Sequence, residues 1–244
     1  MLVSKKYFVV SDIHNHYTEL IEALETEGWS IDNDEHILIV CGDAFDRGLE
    51  ALKLYDFLID LQDKNRLVYV KGNHDDLLLR LCGEGGIASD EFLLHFHNGT
   101  IITYRDFGNH PLNVLEKFNK LYHNMVDYYE LGDYIFVHGW IPYNGNHINP
   151  TFDDDWKNGH WDKARWSNGM ELWLKGIKIP NKTIVCGHWN SGWGHFNIHK
   201  EGEDEYDNFD IFKDKGIIAL DGMTSYSGQV NVLVIEEGDL NDTK

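Results

Sequence analysis

The chain contains few cysteines, which can form disulfides, and few prolines, which interrupt helices and strands, and it has no long apolar run. Its 244 residues include only three cysteines and four prolines, and no Cys-x-x-Cys pair occurs. Three cysteines leave one thiol unpaired in any disulfide scheme, which favours buried thiols in a reducing cytoplasm. No apolar run approaches the ~18 residues of a membrane helix, and the first residues lack the pattern of a secretory signal. We therefore expect a cytoplasmic chain with no membrane partner.

Positive charge is also scarce. Lysine and arginine number 21 against 41 aspartate and glutamate residues, which gives a formal charge of −20 with histidine neutral. Such a chain repels phosphate backbones and anionic lipid surfaces, so a role in coating nucleic acid is excluded. The acidic run at 201–210 and the Asp triplet at 153–155 are interpreted as solvated loops.

Apolar residues make up 42% of the chain, and no linker or repeat divides it, so we expect one domain over residues 1–244. Strands at 7–10, 37–41 and 67–70 alternate with helical patterns at 17–24, 49–61 and 76–81. This alternation predicts βαβ units and a mostly parallel sheet. Residues 82–133 are expected to form helices in an inserted lobe.

The second half of the sequence predicts further strands at 134–137, 183–186, 217–220 and 230–235. No helical pattern lies between the last two, so they are expected to pair as a hairpin. This mixed ending favours two β-sheets packed together over one open sheet, within an α/β fold.

Polar residues follow five of the predicted strands directly. Because the carboxyl ends of parallel strands open into one crevice, we expect these residues to converge. Carboxylate and imidazole together suit Zn, Mn or Fe, and six ligands fit two ions that share a bridging carboxylate, the arrangement used in phosphoryl transfer. The candidate ligands are Asp12, His14, Asp43, Asn73, His138 and His188.

These motifs together resemble the calcineurin-like metallophosphoesterase superfamily. The segments that carry the resemblance are Asp12-x-His14, Gly42-Asp43-x-x-Asp46-Arg47-Gly48, Gly72-Asn73-His74-Asp75, Val137-His138-Gly139 and Gly187-His188. The Asp46-Arg47-Gly48 ending resembles the phosphoprotein phosphatase branch and its bacterial relatives. The resemblance implies a four-layer sandwich, with two mixed β-sheets flanked by helices and a dinuclear metal site at the strand carboxyl ends.

The resemblance also implies a role for each residue. Asp12 and His14 would hold one divalent ion and Asp43 would bridge both; Asn73, His138 and His188 would hold the second. Manganese is the expected metal, with iron, zinc and nickel as alternatives. Arg47, Arg165 and Asn73 would bind the substrate phosphate. His74, oriented by Asp46, would act as the general acid.

Several residues depart from the family pattern. Asn15 stands where glycine is usual, and Trp140 and Trp189 replace small residues after His-Gly and Gly-His. The two indoles are expected to narrow the pocket or to offer a stacking face. His195 and His199 lie in the unmatched stretch 190–215, within reach of the site rim or in ordinary loop positions.

The resulting functional prediction is a phosphatase that hydrolyses phosphate monoesters through a metal-bridging hydroxide. The expected substrate is phosphoserine or phosphothreonine in proteins, or another small phosphate ester. Hydrolysis of a dinucleoside polyphosphate such as diadenosine tetraphosphate is the alternative within the enzyme class. A non-catalytic, metal-stabilised binding module is the alternative outside it.

Overall fold

Two β-sheets lie face to face between helices in the computed structural model, which describes residues 4–82 and 92–241. The predicted two-sheet sandwich is therefore confirmed. The first sheet has the order β11-β1-β2-β3 and the second β4-β5-β8-β10-β9, and a two-stranded ribbon joins β6 to β7. The strands are β1 (Lys6–Val10), β2 (His36–Cys41), β3 (Leu67–Val70), β4 (Tyr129–Leu131), β5 (Tyr134–Phe136), β6 (Tyr143–Gly145), β7 (Pro150–Phe152), β8 (Thr183–Cys186), β9 (Phe212–Asp214), β10 (Ile217–Ala219) and β11 (Leu233–Glu236).

Helices cover the outer faces of both sheets. They are α1 (Tyr17–Thr26), α2 (Ala51–Asp63), α3 (Asn73–Leu81), α4 (Phe92–His97), α5 (Thr100–Asp106), α6 (Pro111–Tyr122), α7 (Trp161–Ala164), α8 (Gly169–Leu174), α9 (Gly192–Gly194) and α10 (Thr224–Ser227). Short 3₁₀ turns occur at Trp156–Asn158 and Glu237–Asn241, and a π-helical turn follows α9 at His195–His199. Among these helices, none is long and apolar enough to cross a membrane.

The central strands are apolar throughout because each of their faces packs against a separate core. On β1, Phe8 and Val10 contribute to a core shared with α1, α2 and α6, whereas Tyr7 and Val9 contribute to the core between the sheets. Side chains alternate between the faces of a strand, so burial on both faces requires a continuous apolar run. A third core lies between the second sheet and α7 and α8. Cys41 and Cys186 are buried free thiols, as predicted from the apolar runs that they end, and Cys82 is a buried free thiol as well.

The predicted hairpin between residues 217–220 and 230–235 is wrong. Strand β10 pairs with β8 and β9 in the second sheet, whereas β11 pairs antiparallel with β1 in the first. Ile218 and Leu233 both reach the core between the sheets, but from opposite sides. The link between the two strands contains α10, which the sequence pattern did not predict.

Two helix boundaries and the middle segment also differ from expectation. Helix α3 begins at Asn73 because the Asp75 carboxylate accepts a hydrogen bond from the N–H of Gly72 at 2.7 Å and caps the first turn. Helix α2 begins after Leu49, whose side chain is exposed. Helix α6 packs in the first core instead of a separate lobe. The part of the predicted lobe at 83–91 lies outside the described residues.

Candidate metal centre

The loops after β1, β2, β5 and β8 form a connected surface at the carboxyl ends of the strands. Backbone N–H groups of Asp12 and His14 donate to the carbonyls of Gly42 and Asp43, and the N–H of Gly187 donates to the carbonyl of His138 at 2.7 Å. These contacts extend strand pairing past the strand ends. The predicted convergence of the five motifs is therefore what the structure shows.

Most of the chain's unusual backbone geometry lies in these loops. Within the described residues, twelve non-glycine residues have positive φ. Seven of them occur in the candidate site: Asp12, His14, Asn15, Asp43, Asp46, Arg47 and His188. Such conformations cost free energy and cluster at functional sites, where the surrounding packing maintains them.

Three hydrogen-bond acceptors converge beside the loop after β5. His138 donates its Nδ1–H to the carbonyl of Cys41 at 2.8 Å, so its Nε2 carries a lone pair in the neutral ring. That Nε2 faces Asn73 Oδ1 at 2.8 Å and Asp43 Oδ2 at 3.1 Å. His188 belongs to the same group of potential ligand atoms. A cation at the centre of this group would satisfy all the acceptors at once.

A second group surrounds the other side of Asp43. Ligand atoms of His14, Asp43 and His74 lie within 4.8 Å of one another. His14 donates through Nδ1 to the carbonyl of Phe45 at 2.9 Å, the backbone contact that typically fixes a metal-binding histidine. Asp12 accepts a hydrogen bond from the His188 N–H at 2.9 Å and is not among the grouped ligand atoms, although its charge acts on His138.

The electrostatics of the centre favour cations. Burial opposes a charged ring at His138, but the charges of Asp43 and Asp12 outweigh it and raise its pKa to about 10. A positive charge is therefore favoured at this position, either as a proton on Nε2 or as a metal ion that takes the place of that proton. Burial and the neighbouring His138 charge lower the pKa of His188 to about 3. Burial and the nearby His74 and Arg47 charges lower the pKa of His14 well below its usual value. His14 and His188 are thus neutral imidazoles, the form that binds metal ions.

The donor set and its geometry fit two divalent ions. Asp43 belongs to both groups of ligand atoms, as a bridging carboxylate must. Burial opposes its ionisation, yet the charges of His138 and His74 lower its pKa well below the usual value, so it is ionised. Mixed imidazole and oxygen ligands suit Mn, Fe, Zn and similar ions better than an all-oxygen ion such as Ca²⁺.

Comparison with known proteins places this geometry in a family. The sequence profile of the calcineurin-like phosphoesterases matches residues 5–220. The chain belongs to the calcineurin-like phosphoesterase family. The match covers all five motifs and every strand except β11, which confirms the resemblance seen in the sequence.

Individual relatives within this family carry different names. Over 149 residues the chain is 29% identical to Shewanella-like protein phosphatase 1 of Plasmodium berghei, covering 56% of this chain and 39% of the relative. Over 144 residues it is 26% identical to the asymmetrical bis(5'-nucleosyl)-tetraphosphatase PrpE of Bacillus subtilis, covering 55% and 57%. The chain thus spans about half the length, or less, of these curated relatives.

A solved structure supports the fold over nearly the whole chain. The cold-active protein-tyrosine phosphatase of a psychrophilic Shewanella species aligns with a TM-score of 0.57 at 15% identity. The alignment covers 94% of this chain and 75% of that one. At this identity the likeness concerns the fold alone.

His74, Asp46 and Arg47 form a connected unit at the edge of the centre. His74 Nδ1 lies 2.8 Å from Asp46 Oδ2, and its Nε2 lies 3.4 Å from Arg47 Nη2. Burial alone would lower the pKa of His74, but the Asp43 charge and the Asp46 hydrogen bond raise it above its usual value. Arg47 is exposed, while His74 and Asp46 are buried. This arrangement places the buried His74 ring behind the exposed guanidinium of Arg47.

Helix α5 supports this unit in a way that the sequence did not reveal. Thr100 donates its hydroxyl hydrogen to Asp46 Oδ2 at 2.9 Å, and Thr103 Oγ1 accepts from the Asp46 N–H at 2.9 Å. Thr103 also accepts from Asn15 Nδ2 at 3.1 Å. Asn15 has a φ of +62°, so an asparagine, which tolerates left-handed backbone, replaces the usual glycine and gains a hydrogen bond.

Arg165 has two carboxylate partners. Its Nη1 lies 2.6 Å from Asp76 Oδ2, and its Nη2 contacts Asp127. Its predicted phosphate contact stays a prediction, and both terminal nitrogens of the guanidinium already contact carboxylates.

The two tryptophans that depart from the family pattern behave differently. Trp140 is fully buried in the core beneath the second sheet and donates its indole N–H to the carbonyl of Ile177 at 3.0 Å, so the expectation that it lines the pocket is wrong. Trp189 is 40% exposed, and its ring lies 6.1 Å from that of His188. Trp166, 45% exposed and 5.9 Å from the same ring, takes the place expected of Trp140.

Two buried carboxylates near the centre were not predicted as site residues. Burial and the charge of Asp12 raise the pKa of Asp221 well above its usual value. Burial and the charge of Asp43 raise the pKa of Asp75 to about 7, and its carboxylate accepts the Tyr69 hydroxyl hydrogen at 2.9 Å. Asp75 ends one of the quoted motifs and Asp221 comes shortly after β10, but only the fold shows that both are buried.

Proposed function

We propose that this chain is a metal-dependent phosphatase that hydrolyses phosphate monoesters with poor leaving groups, phosphoserine and phosphothreonine in proteins above all. The observation that carries the proposal is the buried His74–Asp46 pair at the edge of the metal centre, with a 2.8 Å contact. Two divalent ions, which we propose to be Mn²⁺, would neutralise the charge of the phosphate oxygens and lower the pKa of the attacking water.

The chain's own residues supply the remaining functions. Asp43, His14, His138 and His188 would hold the ions, with Asn73 and Asp12 completing the set. Arg47 is exposed at the edge of the metal centre, where its planar guanidinium can bind two phosphate oxygens. When Arg47 turns toward a phosphate, it would free His74 Nε2 to take up a proton from water, and the ring could then donate that proton to the leaving oxygen.

The need for a general acid distinguishes substrate classes. An alkoxide leaving from phosphoserine is a strong base and requires a proton as the bond breaks. A nucleoside polyphosphate leaving from a dinucleotide is already a stable anion near neutral pH and requires little help. A buried histidine held by Asp46, with a pKa raised above its usual value, therefore favours monoesters of alcohols.

A second candidate, hydrolysis of dinucleoside polyphosphates, is favoured by Trp166 and Trp189. Both indoles are partly exposed and flank His188, beside a cavity of about 380 Å³ that they line together with Tyr143 and Leu172. Aromatic surfaces of this kind stack nucleobases, at about 1–3 kcal/mol per base. The cavity adjoins the centre, so a nucleoside moiety could bind there while its phosphates reach the ions.

One experiment tests the proposal and separates the candidates. The wild-type chain, stripped of metal and reloaded with Mn²⁺, is assayed on a phosphoserine peptide, on p-nitrophenyl phosphate and on diadenosine tetraphosphate. We expect the peptide to be turned over and His74→Asn to lower its kcat/KM by ~10²–10⁴-fold, with a much smaller loss on p-nitrophenyl phosphate, whose leaving group needs no proton.

The contrasting outcomes are specific. Equal losses on the two monoesters at full metal content would show that His74 is not the proton donor. Efficient turnover of the dinucleotide alone, with a KM that Trp166→Ala raises by about 5- to 140-fold, would establish the second candidate. Activity that survives complete metal removal would refute both candidates.

A further inference from the structure

A third group of potential metal ligands does not include Asp43 and lies in the stretch that the family motifs do not cover. Ligand atoms of His195, His199 and Glu201 lie within 4.8 Å of one another. We propose that these three side chains form a separate binding site for one borderline divalent transition ion, of which Zn²⁺ is the representative. The sequence left open whether these histidines reach the rim of the Asp43 centre or lie in ordinary loop positions, and neither belongs to the two groups of ligand atoms that include Asp43.

Each histidine ring is oriented by a hydrogen bond from its far nitrogen. His195 Nε2 lies 3.1 Å from the carbonyl oxygen of Asp210, and His199 Nε2 lies 3.4 Å from Asp214 Oδ2. Both partners are acceptors, so each Nε2 carries the ring hydrogen. This is the pattern of metal-binding histidines, in which a carbonyl or carboxylate holds the nitrogen that does not bind the ion.

The near nitrogens then face one carboxylate. His195 Nδ1 lies 2.6 Å from Glu201 Oε2, and His199 Nδ1 lies 3.8 Å from Glu201 Oε1. When each ring hydrogen is on Nε2, both Nδ1 atoms are hydrogen-bond acceptors, and they face the Glu201 carboxylate, which is also an acceptor. A proton between His195 and Glu201 would satisfy that pair but not His199. A metal ion satisfies all three.

The scaffold holds the three residues in a fixed relation. The rings of His195 and His199 pack against that of the fully buried Phe212, at 5.6 and 4.7 Å between centroids. The chain turns at Lys200, whose φ is +62°, and the N–H of Glu201 donates to the carbonyl of His195 at 3.0 Å. The Glu201 side chain, about half exposed, is more exposed than either histidine side chain.

The contacts of Glu201 can be compared with the spacing of ligand atoms around a metal ion. A tetrahedral ion with bonds of about 2.0–2.2 Å separates its ligand atoms by about 3.3–3.5 Å. The two contacts of Glu201, at 2.6 and 3.8 Å, bracket that spacing, and all three ligand atoms lie within 4.8 Å of one another. The ligand chemistry selects Zn²⁺, Ni²⁺ or Co²⁺ over Mg²⁺, which prefers oxygen ligands alone. The acidic run at 201–210 and the net charge of −20 raise the local concentration of cations.

The test counts ions in the full-length chain. Wild type, Glu201→Gln and His199→Ala are dialysed against a low concentration of Zn²⁺, and bound zinc per chain is measured by elemental analysis. We expect wild type to retain one zinc more than either variant. Glu203→Gln, which removes the same charge from the same acidic run, and His123→Ala, at an exposed histidine on another helix, are the matched controls and should retain as much zinc as wild type.

Two further readings make the result unambiguous. Phosphatase activity of Glu201→Gln should equal that of wild type, which shows that the missing ion does not come from the Asp43 centre. In spectra of ¹⁵N-histidine-labelled protein, Zn²⁺ should shift Nδ1 of His195 and His199 while Nε2 stays protonated. Equal zinc in all five proteins, or two Nδ1 signals that report protonation and ignore Zn²⁺, would overturn the proposal in favour of a histidine–glutamate ion pair. Mg²⁺ that competes with Zn²⁺ for the site would overturn it as well.

Discussion

Gly72 offers a direct test of how closely the metal centre is packed. Its φ of −99° is open to any residue, so alanine introduces no backbone strain there. A Cβ on Gly72 would nevertheless lie 1.9 Å from Asp43 Oδ1 and 2.5 Å from the Asp43 backbone nitrogen. Because real Cβ contacts are essentially never shorter than 3.0 Å, the Asp43 carboxylate would have to move by about 1.1 Å.

A displacement of that size at a reacting centre costs ~10²-fold in rate, or about 2.7 kcal/mol of transition-state stabilisation. We therefore expect Gly72→Ala to lower kcat/KM on p-nitrophenyl phosphate by ~10²-fold and to reduce bound manganese, while its circular dichroism spectrum stays native. Gly238→Ala is the control, because a Cβ there meets nothing within 4 Å. Wild-type activity and metal content in Gly72→Ala would refute the assignment of Asp43 as the shared ligand.

Three other predictions follow from the same structure. Gly187→Ala, whose Cβ would lie 2.1 Å from Asp12 Oδ2, should also lower metal content and activity; elemental analysis showing full occupancy would contradict a ligand role for Asp12. Asp43→Asn should lose more metal than Asp12→Asn, since only Asp43 belongs to both ligand groups, and equal losses would argue against bridging. Burial and two nearby cationic side chains lower the pKa of His36, so the stability that its neutral ring contributes is complete above pH ~6.5 and declines as pH falls toward the folded-state pKa. Urea unfolding at a series of pH values should therefore show a shallower acid-side decline in His36→Gln, and parallel curves for the two proteins would refute this.

The sequence predicted those parts of the molecule that local pattern determines. Apolar runs such as that ending at Val10 identified the central strands, because burial on both faces leaves no polar position within the run. The motifs that follow these runs identified candidate ligands that the structure brings together, since strand ends in a parallel sheet share one edge. These inferences needed only spacing along the chain.

What the sequence did not predict depends on contacts between distant segments. Thr100 and Thr103 touch Asp46 and Asn15 across more than fifty residues, and no motif marks them. Strand β11 pairs with β1, which lies at the other end of the described chain. The local sequence pattern had instead predicted that β11 pairs with β10, the strand that precedes it. Trp140 and Trp189 follow similar motifs, yet one is in the core and the other at the surface. Each outcome is decided by the partner that tertiary structure provides.

Backbone strain links the two proposed metal sites. Three of the twelve non-glycine residues with positive φ are asparagines outside the Asp43 centre, a residue type that adopts this conformation in ordinary turns. Seven belong to the Asp43 centre, and of the remaining two, Lys200 makes the turn that brings Glu201 to His195. A lysine has no side-chain chemistry that favours left-handed backbone, so the contacts around that turn must hold it. Left-handed backbone at non-glycine residues, which occurs seven times in the Asp43 centre, thus recurs beside the His195–His199–Glu201 group. In the described chain this group is the other place where two histidines and a carboxylate meet.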